Sequence, residues 1–293
     1  MAFEWWEDGV GETNQPAAGG EAGTPADADP VLAAPLRLPM EAVDPLLRRS
    51  ARVRPRWRLV CLPHAGAGAG TFSAWSRLLP LDAELFAVQL AGRGDRVLEE
   101  PKDDLQMLID QLCASLRDYV DLPYMLFGHC GGALLAFELG RALAARHAAP
   151  PRLLVVSGQA APDTQAPAPM HDLPDDRFLA RLRALGGLPP LLDHPELLEL
   201  LMPALRADMR LAETYRFTGA PLVSPVLAVA GTADCRVDTA GLNSWTRFTT
   251  GHVDVRRIDG DHLYFEQNPA PLLEAMVSTM SACSATRPDL ASG

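Results

Sequence analysis

The stretch that carries most chemistry is Phe127-Gly128-His129-Cys130-Gly131-Gly132. It fits Gly-x-nucleophile-x-Gly, a sharp strand-to-helix turn that lifts one side chain clear at the end of a sheet. Both flanks suit it: Tyr124-Met125-Leu126-Phe127 reads as a buried strand, and Ala133 to Leu139 reads as a helix. The residue at the tip is a cysteine where serine is usual. A free thiol titrates near about 8.5, so only a few per cent is thiolate at pH 7. Such a nucleophile needs a base, and the base needs a group to orient it. The chain offers both at strand ends: Asp234 closes Gly231-Thr232-Ala233-Asp234, and His262 closes Asp259-Gly260-Asp261-His262.

Nucleophile, acid, base is the chain order of α/β-hydrolases. In that scheme Cys130 attacks a carbonyl, His262 takes the thiol proton, and Asp234 fixes the imidazole tautomer. The N–H of Gly131 and an N–H from the early loop, at Ala65, would hold the oxyanion that appears only in the tetrahedral state. Each residue also has a plain reading. Cys130 alone is a packed thiol, Asp234 alone a helix cap with Asp238 as a rival acid, and His262 alone a solvated histidine between Asp259 and Asp261. The early loop is Pro63-His64-Ala65-Gly66-Ala67-Gly68-Ala69-Gly70. Its alternating glycines permit close backbone approach. It lacks the Lys-Ser/Thr of a phosphate-binding loop, and Gly-x-Gly-x-x-Gly does not fit its register. His64 tempts as a base, but without a partner in sequence it reads as a wall residue. Arg93 and Arg96 in Ala91-Gly92-Arg93-Gly94-Asp95-Arg96 either meet an anion or pair locally with Asp95, Glu99 and Glu100.

The elements that must position these residues alternate. Leu59-Val60-Cys61-Leu62, Glu84 to Leu90, the strand before Cys130, Arg152 to Ser157, Val226 to Ala230 and Val253 to Ile258 read as strands. Helices are expected at 72–79, at 103–120 with Cys113 in its middle, after Cys130, around 239–247 and from Pro271 onward. Strand, helix, strand at this spacing means a mostly parallel sheet with helices on both faces, an α/β fold of the α/β-hydrolase kind. Residues 162–221 break the alternation with Pro162, Pro167, Pro169, Pro174 and Pro189-Pro190 around helical stretches 176–185 and 196–215. They read as a helical lid insertion. The expected boundaries are an acidic, largely disordered extension over 1–50, the domain over 51–284 with its first strand near Trp57, and a frayed tail over 285–293. Residues 1–30 carry seven acidic side chains and no Lys or Arg, with linker-like Gln15 to Gly20. Trp5 and Trp6 are the exception, a possible docking peptide for a partner or a tail of no consequence.

Composition narrows the class. A chain of 293 residues that is 48% hydrophobic and 22% charged is globular, and a formal net charge of -11 argues against a nucleic-acid or anionic-membrane partner. No apolar run is long enough to span a bilayer, and no basic segment with an apolar core opens the chain. The five cysteines (Cys61, Cys113, Cys130, Cys235, Cys283) are scattered, without metal-ligand spacing. They read as reduced thiols of a cytoplasmic, monomeric protein that binds no metal or cofactor of its own.

From Trp57 to Val277 the chain resembles the type II thioesterases, the stand-alone editing partners of nonribosomal peptide and polyketide synthases. The matching stretches are Leu62 to Gly68, Gln89 to Gly94, Gly128 to Gly132 with Ala133, Phe137 and Glu138, and Pro203 to Asp208 with Glu213-Thr214-Tyr215. Pro221-Leu222, Gly231 to Asp234 and Gly260 to Phe265 complete the set. The resemblance implies an acyl group held as a thioester on the phosphopantetheine arm of an acyl or peptidyl carrier protein. It departs at two places, the acidic extension and the cysteine at the elbow; some thioesterase-like aminoacyl shuttle enzymes also place cysteine there. A Cys130 thioester is nearly level in energy with the thioester it came from, whereas a serine ester lies downhill. Transfer of the acyl group to a second carrier thiol or another acceptor therefore stands beside editing hydrolysis, with a non-catalytic docking protein as the third reading.

Overall fold

A computed structural model describes residues 40–163, 169–186 and 194–285. The acidic stretch with Trp5 and Trp6, parts of the expected lid and the tail beyond Ala285 lie outside them. The strands are β1 (Glu41–Asp44), β2 (Leu47–Ser50), β3 (Trp57–Leu62), β4 (Ala83–Val88), β5 (Tyr124–His129), β6 (Leu153–Ser157), β7 (Val226–Gly231) and β8 (Val253–Ile258). They form one eight-stranded sheet in the order β1-β2-β4-β3-β5-β6-β7-β8. From β4 through β8 every neighbouring pair is parallel; β1–β2 and β2–β4 are antiparallel.

Alternation along the strands builds two cores. Val60, Phe86, Leu126, Leu154 and Ala228 face one way. There they meet α2 (Leu105–Leu116) and α3 (Gly131–His147), which follow α1 (Trp75–Leu78) in the chain. Leu59, Leu85, Met125, Val155 and Leu227 face the other way, packing with Phe72, Trp75, Phe265 and Leu272. Strands buried on both faces read as continuous apolar runs, which is why β3 to β7 are legible in the sequence. Between β6 and β7 lie α4 (Asp175–Ala184) and α5 (Pro195–Thr214), which share a small core of their own around Phe178, Leu182, Leu205 and Met209. After β7 come α6 (Thr239–Asn243), α7 (Tyr264–Gln267) and α8 (Ala270–Ala285).

The boundary expected at residue 50 is corrected. Residues 41–44 and 47–50 form the edge hairpin of the sheet, so the ordered domain begins before Trp57. The stretch is short and charged, and its strand character comes from distant partners. Asp44 Oδ1 accepts from the N–H groups of Leu46 and Leu47 at 2.6 and 3.1 Å and closes the turn. Leu47 is fully buried beneath the sheet, and Arg48 lies buried against Asp95, at 2.9 Å from Nε to Oδ2.

Candidate active site

The turn after β5 is strained. Cys130 holds φ 52° and ψ −126°, a conformation that L residues avoid and that costs about 1–3 kcal/mol. The surroundings enforce it: Cys130 N–H donates to the Ser157 carbonyl at 2.8 Å, and Ala133 N–H to the Cys130 carbonyl at 2.9 Å. Its glycines are needed for close approach. A Cβ on Gly128 would stand 2.2 Å from the Gly132 carbonyl oxygen, and one on Gly132 would stand 2.3 Å from that of Pro63. The turn delivers the sulfur to the N-terminus of α3, where the helix dipole favours negative charge.

The structure brings Asp234 and His262 to the same place. Asp234 follows β7, is buried, and accepts a hydrogen bond from His262 Nδ1 at 2.9 Å. Its second oxygen accepts the Arg236 backbone N–H at 2.9 Å. The rival Asp238 is occupied elsewhere, capping α6 by accepting from Gly241 N–H at 2.7 Å. Asp259 and Asp261 are likewise turned away, bonded to Thr232 Oγ1 at 3.1 Å and to Leu263 N–H at 2.9 Å. Burial works against a charged His262, but the hydrogen bond with Asp234 and the neighbouring Cys130 sulfur outweigh that and raise its pKa.

One residue that the sequence did not single out stands between base and sulfur. Arg236 Nη1 is 2.7 Å from His262 Nε2 and 3.4 Å from Cys130 Sγ. A guanidinium can only donate, so Nε2 is the acceptor and the ring proton sits on Nδ1, toward Asp234. Burial raises the Cys130 pKa, but the Arg236 charge, His262 and the Gly131 N–H together bring it down to about 7. The available signal was a lone cation two positions after the candidate acid, but sequence spacing does not give its side-chain direction.

The other expected residues fall into distinct roles. Ala65 and Gly131 both line a cavity of about 620 Å³ that opens beside Cys130, within the range of small-molecule sites. Its far wall comes from the insertion, through Met170, Met209, Ala212 and Tyr215. His64 is buried, 3.7 Å from Glu266 Oε1 through Nε2, and its pKa is lowered to about 3 by burial and the nearby positive charges. It has no hydrogen bond to Cys130 among the described residues and stands as a wall residue. His129 is also buried; its Nδ1 lies 2.9 Å from Ser157 Oγ, and its ring is 4.5 Å from that of His262. In the arginine loop only Arg96 takes the expected local pairing; Arg93 finds a distant carboxylate instead. Arg93 forms a two-pronged bond with Asp208 of α5, and Asp208 also accepts the Gly66 N–H at 2.8 Å. This clamp ties the early loop to the insertion, and Arg96 pairs with Glu99 at 2.8 Å. Among the described residues no group of histidines, cysteines and carboxylates is arranged to hold a metal ion, and no helix is long and apolar enough to cross a membrane.

A mostly parallel sheet with a nucleophile turn at the end of a central strand defines an α/β-hydrolase-type protein. Residues 57–282 match the thioesterase domain family, and the chain belongs to that family. It is 33% identical over 222 residues to the gramicidin S biosynthesis protein GrsT of Aneurinibacillus migulanus, covering 75% of this chain and 87% of that one. It is 39% identical over 210 residues to the thioesterase PikA5 of Streptomyces venezuelae, covering 71% and 75%. Among solved structures, the type II thioesterase BorB of the borrelidin biosynthetic cluster superposes with a TM-score of 0.73 at 34% identity, over 81% of this chain and 98% of that one.

Proposed function

We propose that this thioesterase takes an acyl or aminoacyl group from the phosphopantetheine thioester of a carrier protein onto Cys130 and passes it to a second carrier thiol. The observation that carries the reading is the sulfur itself: a thiol with its pKa at about 7, at the elbow and facing an acyl-sized cavity. The Sγ thiolate attacks the thioester carbonyl. The N–H groups of Ala65 and Gly131 stabilise the oxyanion, and collapse expels the pantetheine thiolate. A second pantetheine thiolate then bonds to the acyl carbon, the Sγ–C bond breaks, and its electron pair returns to Sγ. The acyl group remains a thioester throughout, so little transfer potential is lost.

Editing hydrolysis is the second reading. The Asp234–His262 pair favours it, since it is the pair a water molecule needs as general base. The relatives named as thioesterases favour it as well. Intact-protein mass spectrometry separates the two. The chain is mixed with an acyl-loaded carrier protein, then given an empty second carrier or buffer. Transfer expects an adduct that requires Cys130 and moves to the second carrier faster than it hydrolyses. Release of free acid at the same rate with and without that carrier would leave hydrolysis. Absence of both adduct and turnover would leave a docking protein.

A further inference from the structure

Arg236 is a cation at the nucleophile with no carboxylate of its own. Its side chain pairs with no acid among the described residues, and it reaches the sulfur and the imidazole. The same nitrogen, Nη1, serves both, with one N–H for each. The other charged groups facing the cavity are already matched. Asp208 pairs with Arg93, Glu213 with His171 and Asp163 with Arg247, while Arg216 donates to the carbonyls of Glu213 and Tyr215. His64 and His129 are held neutral, chiefly by burial. Beside the titratable His262, Arg236 is therefore the permanent cation in contact with the Cys130 sulfur.

We infer that Arg236 holds the Cys130 sulfur as a thiolate and occupies the lone pair of His262 Nε2, so that an acyl group on Cys130 leaves to a thiol faster than to water. The two exits differ in what they ask of Nε2. In hydrolysis a water oxygen bonds to the acyl carbon, Nε2 must accept a water proton as that bond forms, and Sγ leaves with its electron pair. Arg236 blocks that proton. In transfer, an incoming pantetheine thiol can ionise before it reaches the acyl carbon, and its thiolate attacks without a base at the moment of bond formation. The guanidinium stabilises its charge on the way in, and the same charge on Sγ on the way out. Arg236 touches the reacting sulfur and so counts as a catalytic residue that chooses the acceptor.

This inference rests on the Cys130 acyl-enzyme reading, and the test keeps the two apart. The full chain and its Arg236→Met and Arg236→Lys variants are alkylated with iodoacetamide across pH, with modification at Cys130 read by peptide mass spectrometry. Each is then acylated with acetyl- or hexanoyl-pantetheine and divided between water and added pantetheine. Arg236→Met is expected to raise the alkylation midpoint by about one pH unit. It is also expected to shift the acyl-enzyme toward water by about tenfold relative to thiol. Arg236→Lys keeps the charge and is expected to restore most of the alkylation midpoint. An unmoved midpoint in Arg236→Met, or an unchanged division between water and thiol, overturns the role of Arg236. Equal losses in both variants accompanied by a lowered thermal midpoint would mark the side chain as structural and overturn it too. A parent chain that forms no acyl-Cys130 with either thioester sinks the acyl-enzyme reading, and the acceptor choice falls with it. The alkylation midpoint still reports on Arg236 in that case.

Discussion

Two neighbouring strands each bring a thiol to the centre of the sheet, and the two thiols differ in almost everything else. Cys61 sits within β3, in register with Phe127 of β5, and is fully buried among Leu59, Trp75 and Phe127. Burial alone acts on it and pushes its pKa well up. Cys130 lies just past the end of β5, where the chain must turn. There the same burial is opposed by Arg236, His262 and the Gly131 N–H, and the result is about 7. Within a strand the backbone donors are spent on the ladder and the neighbours are apolar. At the carboxyl ends of parallel strands a helix N-terminus is free and loops from several strands converge, so charge can be met there. Reactivity in this sheet is a property of position.

The contrast is broken most directly by removing the sulfur. Cys130→Ala is expected to abolish the acyl adduct and lower thioester turnover by roughly 10⁵-fold, as for loss of a nucleophile elsewhere. Turnover within tenfold of the parent would sink the assignment. Asp234→Asn leaves the ring in place but removes the charge that fixes its tautomer, and a loss of roughly 10³-fold in kcat/KM is expected. Asp238→Ala serves as the control. It should cost about 1 kcal/mol of stability through the lost cap with little change in rate, and the opposite pattern would exchange the two acids.

The pH dependence sharpens the comparison without mutation. Alkylation requires thiolate, so a folded-state pKa of about 7 makes the Cys130 rate rise with pH and level off above about 7. Below that point the rate falls about tenfold per pH unit. Cys61, shifted the other way and enclosed, is expected to remain unmodified in the folded chain from about pH 5 to pH 9. Labelling of both thiols at equal rates would remove the distinction. An effect on stability alone belongs to Cys61→Ser, which places a hydroxyl among apolar neighbours. It should lower stability by about 2 kcal/mol and leave turnover unchanged, as read by denaturant unfolding alongside an activity assay.

Much of this site was legible in one dimension. The elbow announces itself because its glycines are the residues that the close contacts at Gly128 and Gly132 admit. The acid and base announce themselves because each follows an expected strand, in the expected order. Asp234 came first in the sequence because it closes the strand-end turn, but Asp238, only four positions on, stayed a rival. Which of them reaches His262 depends on where the loop after β7 bends and where α6 begins. Arg93 was visible as a loop arginine, but its partner Asp208 is far along the chain on α5.

What the sequence by itself determined is the layered α/β fold, the order of its strands along the chain and the identity of the group at the elbow. Apolar runs and turn residues are local signals, and the forces behind them act over a few residues. The tertiary structure alone decided three things: that 41–50 joins the sheet, that Asp208 clamps the early loop to the insertion, and that Arg236 turns toward the sulfur. Each depends on a contact between parts of the chain that no local pattern links. A charge has no periodicity to reveal its partner, so its meaning appears only once the fold has brought that partner within reach.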